Sequence, residues 1–157
     1  MTTAVLRDER DLLWLVLDHV EVAGGDVVYD VHFCAREEPD QPPEPFVSTG
    51  GFREPVEGFG SLVENIGHAV SGAASALRHD PIADGLSMEL KARDGGPDPS
   101  FEVVIWLDLT RMSRALKARG TRGRHQAGLR MIVRRSGLEA FRAALFLLAS
   151  PEESGLR

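Results

Sequence analysis

Apolar side chains recur along this chain at two periods, and the switches between them lay out its elements. From Leu12 to Val22, Trp14, Val16, Val20 and Val22 share one parity while Leu13, Leu15 and Leu17 share the other. Apolar residues on both parities predict a strand covered on both faces for part of its length. Ala23-Gly24-Gly25-Asp26 supplies a tight turn, because paired glycines tolerate the positive φ such hairpins need. Val27 to Ala35 returns as a half-buried strand, with Tyr29, Val31 and Phe33 alternating against Asp30, His32 and Cys34. Further on, Leu86, Met88, Leu90 and Ala92 alternate with Ser87, Glu89, Lys91 and Arg93, and the turn Asp94 to Pro99 follows. Phe101, Val103, Ile105, Leu107 and Leu109 then alternate with Glu102, Val104, Trp106 and Asp108. A last strand, Gln126 to Arg135, places Leu129, Met131 and Val133 inward and Arg130, Ile132 and Arg134 outward.

The helical period governs two stretches. Leu62, Val63, Ile66, Ala69, Val70, Ala73 and Leu77 predict a helix over Ser61 to Arg78, opened by a Ser61/Glu64 capping box and ended by Asp80-Pro81. Gly67 and Gly72 each cost about 1 kcal/mol against alanine inside a helix. Together with Ala73 and Ala76 they predict close packing against a neighbour. Ser136-Gly137-Leu138-Glu139 opens a second helix with Leu138, Phe141, Leu145 and Leu148 on one face. Thr110 to Lys117 fits a short helix, and Arg119 to His125 a loop.

The pattern stops between Arg36 and Pro55. Glu37 to Pro45 holds four prolines and four acids in nine residues, which predicts an extended, solvated and flexible connection over 36–55. Residues 151–157 read as a frayed tail. The resulting order, β-β-α-β-β-β-α, predicts an α+β fold: an antiparallel sheet of five strands with two helices packed on one face. The sequence has no visible internal repeat or domain boundary, and 157 residues suit a single domain.

Composition narrows the class. The chain is 43% hydrophobic and 27% charged, which is globular. Cys34 is the sole cysteine, so an intrachain disulfide framework is excluded. No secretory pattern and no apolar run near the ~20 residues of a membrane span is present, so a cytoplasmic protein is expected. Net charge is −6, but it is unevenly spread. Residues 111–135 carry nine Arg or Lys and no acid, half of all the positive charge in the chain. Such a segment either pairs with the acidic remainder or faces an acidic partner.

Candidate chemistry fails motif by motif. Asp30, His32 and Cys34 share one side of a strand, but no further Cys or His pair has zinc-ligand spacing, so no metal site is expected. His32 stands about 7 Å along the strand from Cys34, too far to activate the thiol. Gly-x-Ser-x-Gly is absent, and Ser48-Thr49-Gly50-Gly51 lacks the lysine of a phosphate loop. No catalytic residue and no cofactor is assigned, and the chain is read as non-enzymatic. Nucleic acid is a weaker alternative for the basic segment, because residues 111–135 contain no aromatic side chain for base stacking. By parity Trp106 and Val104 lie opposite Ile105 and Leu107. If the last two strands pair, Val104, Trp106 and Ile132 form an apolar patch framed by Arg130 and Arg134, the makings of a binding hot spot. Trp106, Arg130, Ile132, Arg134, Arg122 and Arg124 are the expected partner-binding residues.

Phe59 to Leu109 resembles a group of small actinobacterial proteins of unknown function, some of them similar to immunity proteins of polymorphic-toxin systems. The residues that carry the resemblance are Phe59-x-x-Leu62, the strand Leu86-Ser87-Met88-Glu89-Leu90, a Gly-rich turn and Trp106-Leu107-Asp108-Leu109. Gly128 to Leu148 follows in the same order. The basic segment and the proline tract depart from that pattern. The resemblance implies a non-enzymatic protein that acts by binding another protein, as an immunity-type inhibitor does, and the basic segment points to an acidic partner.

Overall fold

A computed structural model describes residues 2–81, 85–93, 98–108 and 126–150. The protein is α+β, with two helices and two antiparallel four-stranded sheets among the described residues. Strands β1 (Ala4–Arg7), β2 (Leu13–Ala23), β3 (Asp26–Ala35) and β4 (Glu44–Pro55) form one meander, followed by helix α1 (Val56–Ser71). Strands β5 (Ala76–His79), β6 (Leu86–Ala92), β7 (Ser100–Asp108) and β8 (Gln126–Arg134) form the other, followed by α2 (Arg135–Leu148). Among the described elements the order ββββα therefore occurs twice, where the sequence predicted a single five-stranded sheet.

Three strands were missed, each for a local reason. β1 is only four residues long. β4 occupies most of the stretch expected to be a connection. Its period is broken by Pro45 and by a bulge at Gly50-Gly51, where Gly51 takes φ 73° and donates its N–H to the Asp30 carboxylate at 2.9 Å. Beyond the bulge Phe52 and Glu54 point inward, so only residues 36–43 connect β3 to β4. β5 was read as the end of the first helix. That helix instead stops at Gly72, whose left-handed φ of 80° lets the N–H groups of Gly72 and Ala73 cap the carbonyls of Ala69 and His68.

The helix starts also shift. Pro55 is the N-cap of α1, and Ser61 sits inside the helix, donating its hydroxyl to the Glu57 carbonyl at 3.1 Å. Arg134 is the N-cap of α2, which places Ser136 in the first turn. Neither capping box forms. The double parity of β2 has a different origin from coverage on two faces. A bulge between Asp18 and Glu21, with His19 at φ 50°, hands the inward positions from Leu15 and Leu17 to Val20. The Gly24-Gly25 turn forms as expected, with both φ values positive.

The core is one cluster drawn from both sheets and both helices. α1 packs on β3 and β4 of its own unit and on β5 and β6 of the other. Reciprocally, α2 packs on β8 and on β1 and β2. The helices also touch each other, and the Glu9 N–H donates to the Ile132 carbonyl at 2.7 Å, tying the β1–β2 turn to β8. Among the described residues, both helices lie on the inner sides of the sheets, and no helix covers the outer faces.

Candidate functional site

The outer face of the second sheet gathers the described residues singled out in the sequence. Strict alternation turns Phe101, Val103, Ile105 and Leu107 into the core and Glu102, Val104, Trp106 and Asp108 outward. The register sets Trp106 opposite Ser87 on one side and Gly128 on the other, Val104 opposite Arg130, and Glu102 opposite Ile132. Trp106 is 41% exposed and lies on Gly128: a Cβ at that position would sit 2.6 Å from the ring. The missing side chain of Gly128 is the seat of the indole, a cross-strand pairing that covers bare backbone. β4 pairs with β3, so residues 44–55 belong to the first sheet and not to the sheet that carries this tryptophan.

The patch is not laid out as parity alone suggested. Arg130 occupies the row between Trp106 and Ile132, which leaves those two side chains roughly 13 Å apart along the strands. Its guanidinium turns to Glu102 at 2.9 Å, and Arg78 likewise bridges Glu89 at 2.7 Å and Asp80 at 3.0 Å. Asp80 is the main cause of an Arg78 pKa above its ordinary value. The middle of the face is thus a lattice of opposite charges. At its far end Lys91, Arg93 and Arg134 have no carboxylate partner among the described residues. Aromatic anchor, neutral middle and cationic end run in that order. Arg122 and Arg124, with the rest of 109–125, lie outside the described residues, as does the 151–157 tail.

No family model, curated protein or solved structure matches this chain. Its chemistry therefore has to be read from its own side chains.

The outer face of the first sheet is polar. Asp18 and Asp30 face each other across β2 and β3, and His19 Nδ1 lies 2.9 Å from Asp30 and 3.7 Å from Asp18. The Asp30 hydrogen bond raises the His19 pKa, and the Thr3 hydroxyl, 2.7 Å from Asp18, lowers that of Asp18. His32 Nδ1 meets the Ser48 hydroxyl at 2.8 Å because the two are cross-strand partners. Trp14 is held between Arg7 and Arg36, whose guanidinium carbons lie 4.2 and 5.1 Å from its ring, and its Nε1–H donates to Asp11. Cys34 is opposite Trp14 and buried, and burial raises its thiol pKa. Among the described residues no three His, Cys, Asp or Glu side chains converge as metal ligands, and no helix is long and apolar enough to cross a membrane.

Two further features had no single-sequence signal, because each joins residues distant along the chain. The first is a buried polar trio between the sheets: Tyr29, Glu54 and His79. The second is an open groove of about 870 Å³ between α1 and α2. Val56, Val63 and Val70 line it from α1, and Arg142, Phe146 and Ala149 from α2 and its end.

Proposed function

We propose that this protein is a non-enzymatic binding protein of the immunity-inhibitor kind, which engages an acidic protein partner with the outer face of its second sheet. The observation that carries the reading is Trp106, a large aromatic left 41% exposed on a rigid, fully paired central strand. Aromatic and arginine side chains dominate binding hot spots, since they bury large area at little conformational cost. Lys91, Arg93 and Arg134 at the end of the same face add the charge that favours an acidic partner and speeds its encounter. In sequence, residues 111–135 carry nine cations, Arg134 among them.

The test is affinity capture from the native host with tagged wild-type protein, a Trp106→Ala/Arg130→Ala variant and an Arg134→Glu variant. The reading expects one acidic protein to be recovered by the wild type and lost from both variants, all three giving the same far-ultraviolet circular dichroism. Equal recovery by all three would overturn it. Recovery of nucleic acid instead, with affinity falling steeply with salt, would move the site to phosphate recognition.

A further inference from the structure

The groove between α1 and α2 combines an apolar floor with a single cation that lacks a carboxylate. Two of the four exposed large hydrophobic side chains among the described residues, Phe146 and Leu147, stand on the last turn of α2, and Phe146, 58% exposed, forms one wall. Val56, Val63 and Val70 line the opposite side. Gly60 opens the floor: a Cβ there would meet nothing within 4 Å. The volume, about 870 Å³, lies within the range of small-molecule sites.

The charges around this floor pair off except for one. Glu64 faces His68 at 3.9 Å, and Arg135 faces Glu139 at 3.3 Å. Arg142 instead donates its Nε–H to the backbone carbonyl of Val63 at 3.1 Å and has no carboxylate partner among the described residues. It reaches across α1 only because position 67 is glycine, where a Cβ would stand 2.7 Å from that Nε. Arg142 lines the groove, and its terminal amino groups take no part in the bond that fixes it. A guanidinium fixed through Nε presents those donors as a fork, the geometry that takes a carboxylate.

We infer that this groove binds a small amphipathic carboxylate, its alkyl body on Val63, Val70 and Phe146 and its carboxylate on Arg142. The inference is independent of the sheet-face reading, since the groove lies on the helix layer and shares no residue with that face. Anionic charge on the ligand follows from the unpaired arginine, and an apolar body from the valines and Phe146 that line the groove.

The probe is dodecanoate below its micellar concentration, titrated by calorimetry and by amide chemical shifts. Saturable 1:1 binding is expected, with shifts at Gly60, Val63, Gly67 and Phe146. Arg142→Met should weaken it roughly tenfold, the value of one charge-assisted contact. Gly60→Leu should fill the floor and abolish binding while leaving the helix more stable. Dodecanol should bind at least about tenfold more weakly than the acid by the same argument. Absent or non-saturable binding, or equal affinity in the Gly60→Leu variant, would overturn the inference. So would a concentration-dependent dimer that Gly60→Leu converts to monomer, because the groove would then belong to a second copy of the chain.

Discussion

Glu54 Oε1 lies 3.2 Å from His79 Nε2, with Glu54 0% and His79 5% exposed, so the two halves of the chain share a buried acid–imidazole contact. Tyr29 completes it: its hydroxyl donates to Glu54 Oε2 at 3.3 Å and accepts the Leu86 N–H at 3.3 Å. Burial is the main cause of a Tyr29 pKa pushed well above the ordinary phenol value. Gly85 makes room for this trio, since a Cβ there would stand 3.0 Å from the phenol oxygen and 3.1 Å from the carboxylate.

Breaking one side of such a contact leaves the other buried and unmatched. His79→Ala should therefore destabilise the fold by about 1–3 kcal/mol, the usual loss when a buried polar group is left without its partner. Tyr29→Phe, which strands the Leu86 N–H, should cost about 1–3 kcal/mol. A Glu54→Leu/His79→Phe double variant should recover only part of the loss, because it removes both partners of the acid–imidazole contact but leaves the buried Tyr29 hydroxyl without its acceptor. Urea denaturation followed by circular dichroism measures all three.

Gly60 and Gly67 make opposite predictions on one helix. Gly60→Ala should stabilise by about 1 kcal/mol, the ordinary helix preference, since its Cβ meets open space. Gly67→Ala should gain less or lose, because Arg142 must withdraw and release the Val63 carbonyl. Thermal midpoints of the two variants provide the comparison.

On the first sheet, His19 should titrate above the ordinary histidine value of 6.5. A raised folded pKa means the contribution of this contact is full below the unfolded value and is lost as pH rises through the folded one. Asp30→Asn should bring the His19 titration back toward 6.5. Proton NMR of the imidazole ring resolves the shift.

Cys34 should be alkylated slowly by iodoacetamide at neutral pH, since burial holds the thiol protonated and out of reach. Its rate should rise to that of a free thiol only when urea unfolds β2 and β3. Mass spectrometry of the quenched reaction follows it.

How far the sequence revealed the structure follows from how regular each element is. β6, β7 and β8 alternate without interruption, so their bounds, inward residues and mutual pairing were all readable. β2 contains a bulge and was read as a strand with the wrong burial. β4 contains a proline and a glycine bulge and was read as no strand at all. Gly72 looked like a costly glycine inside a helix, whereas its left-handed φ marks the helix end. The same rule applies to the site. Trp106 and its arginines follow from parity within neighbouring strands, although the row order that separates Trp106 from Ile132 needs the register. Glu54 and His79 are 25 positions apart, and no periodicity links them.

The reciprocal seating of the helices has a consequence for synthesis. When residues 1–72 have left the ribosome, the face of α1 that will cover β5 and β6 has nothing to cover. Likewise β1 and β2 wait for α2, the last of the described elements to be made. Neither half owns a finished interior, so the nascent chain has no stable halfway form. Expressed as separate fragments, 1–73 and 74–157 should each remain unstructured, and co-expression should restore the fold by complementation.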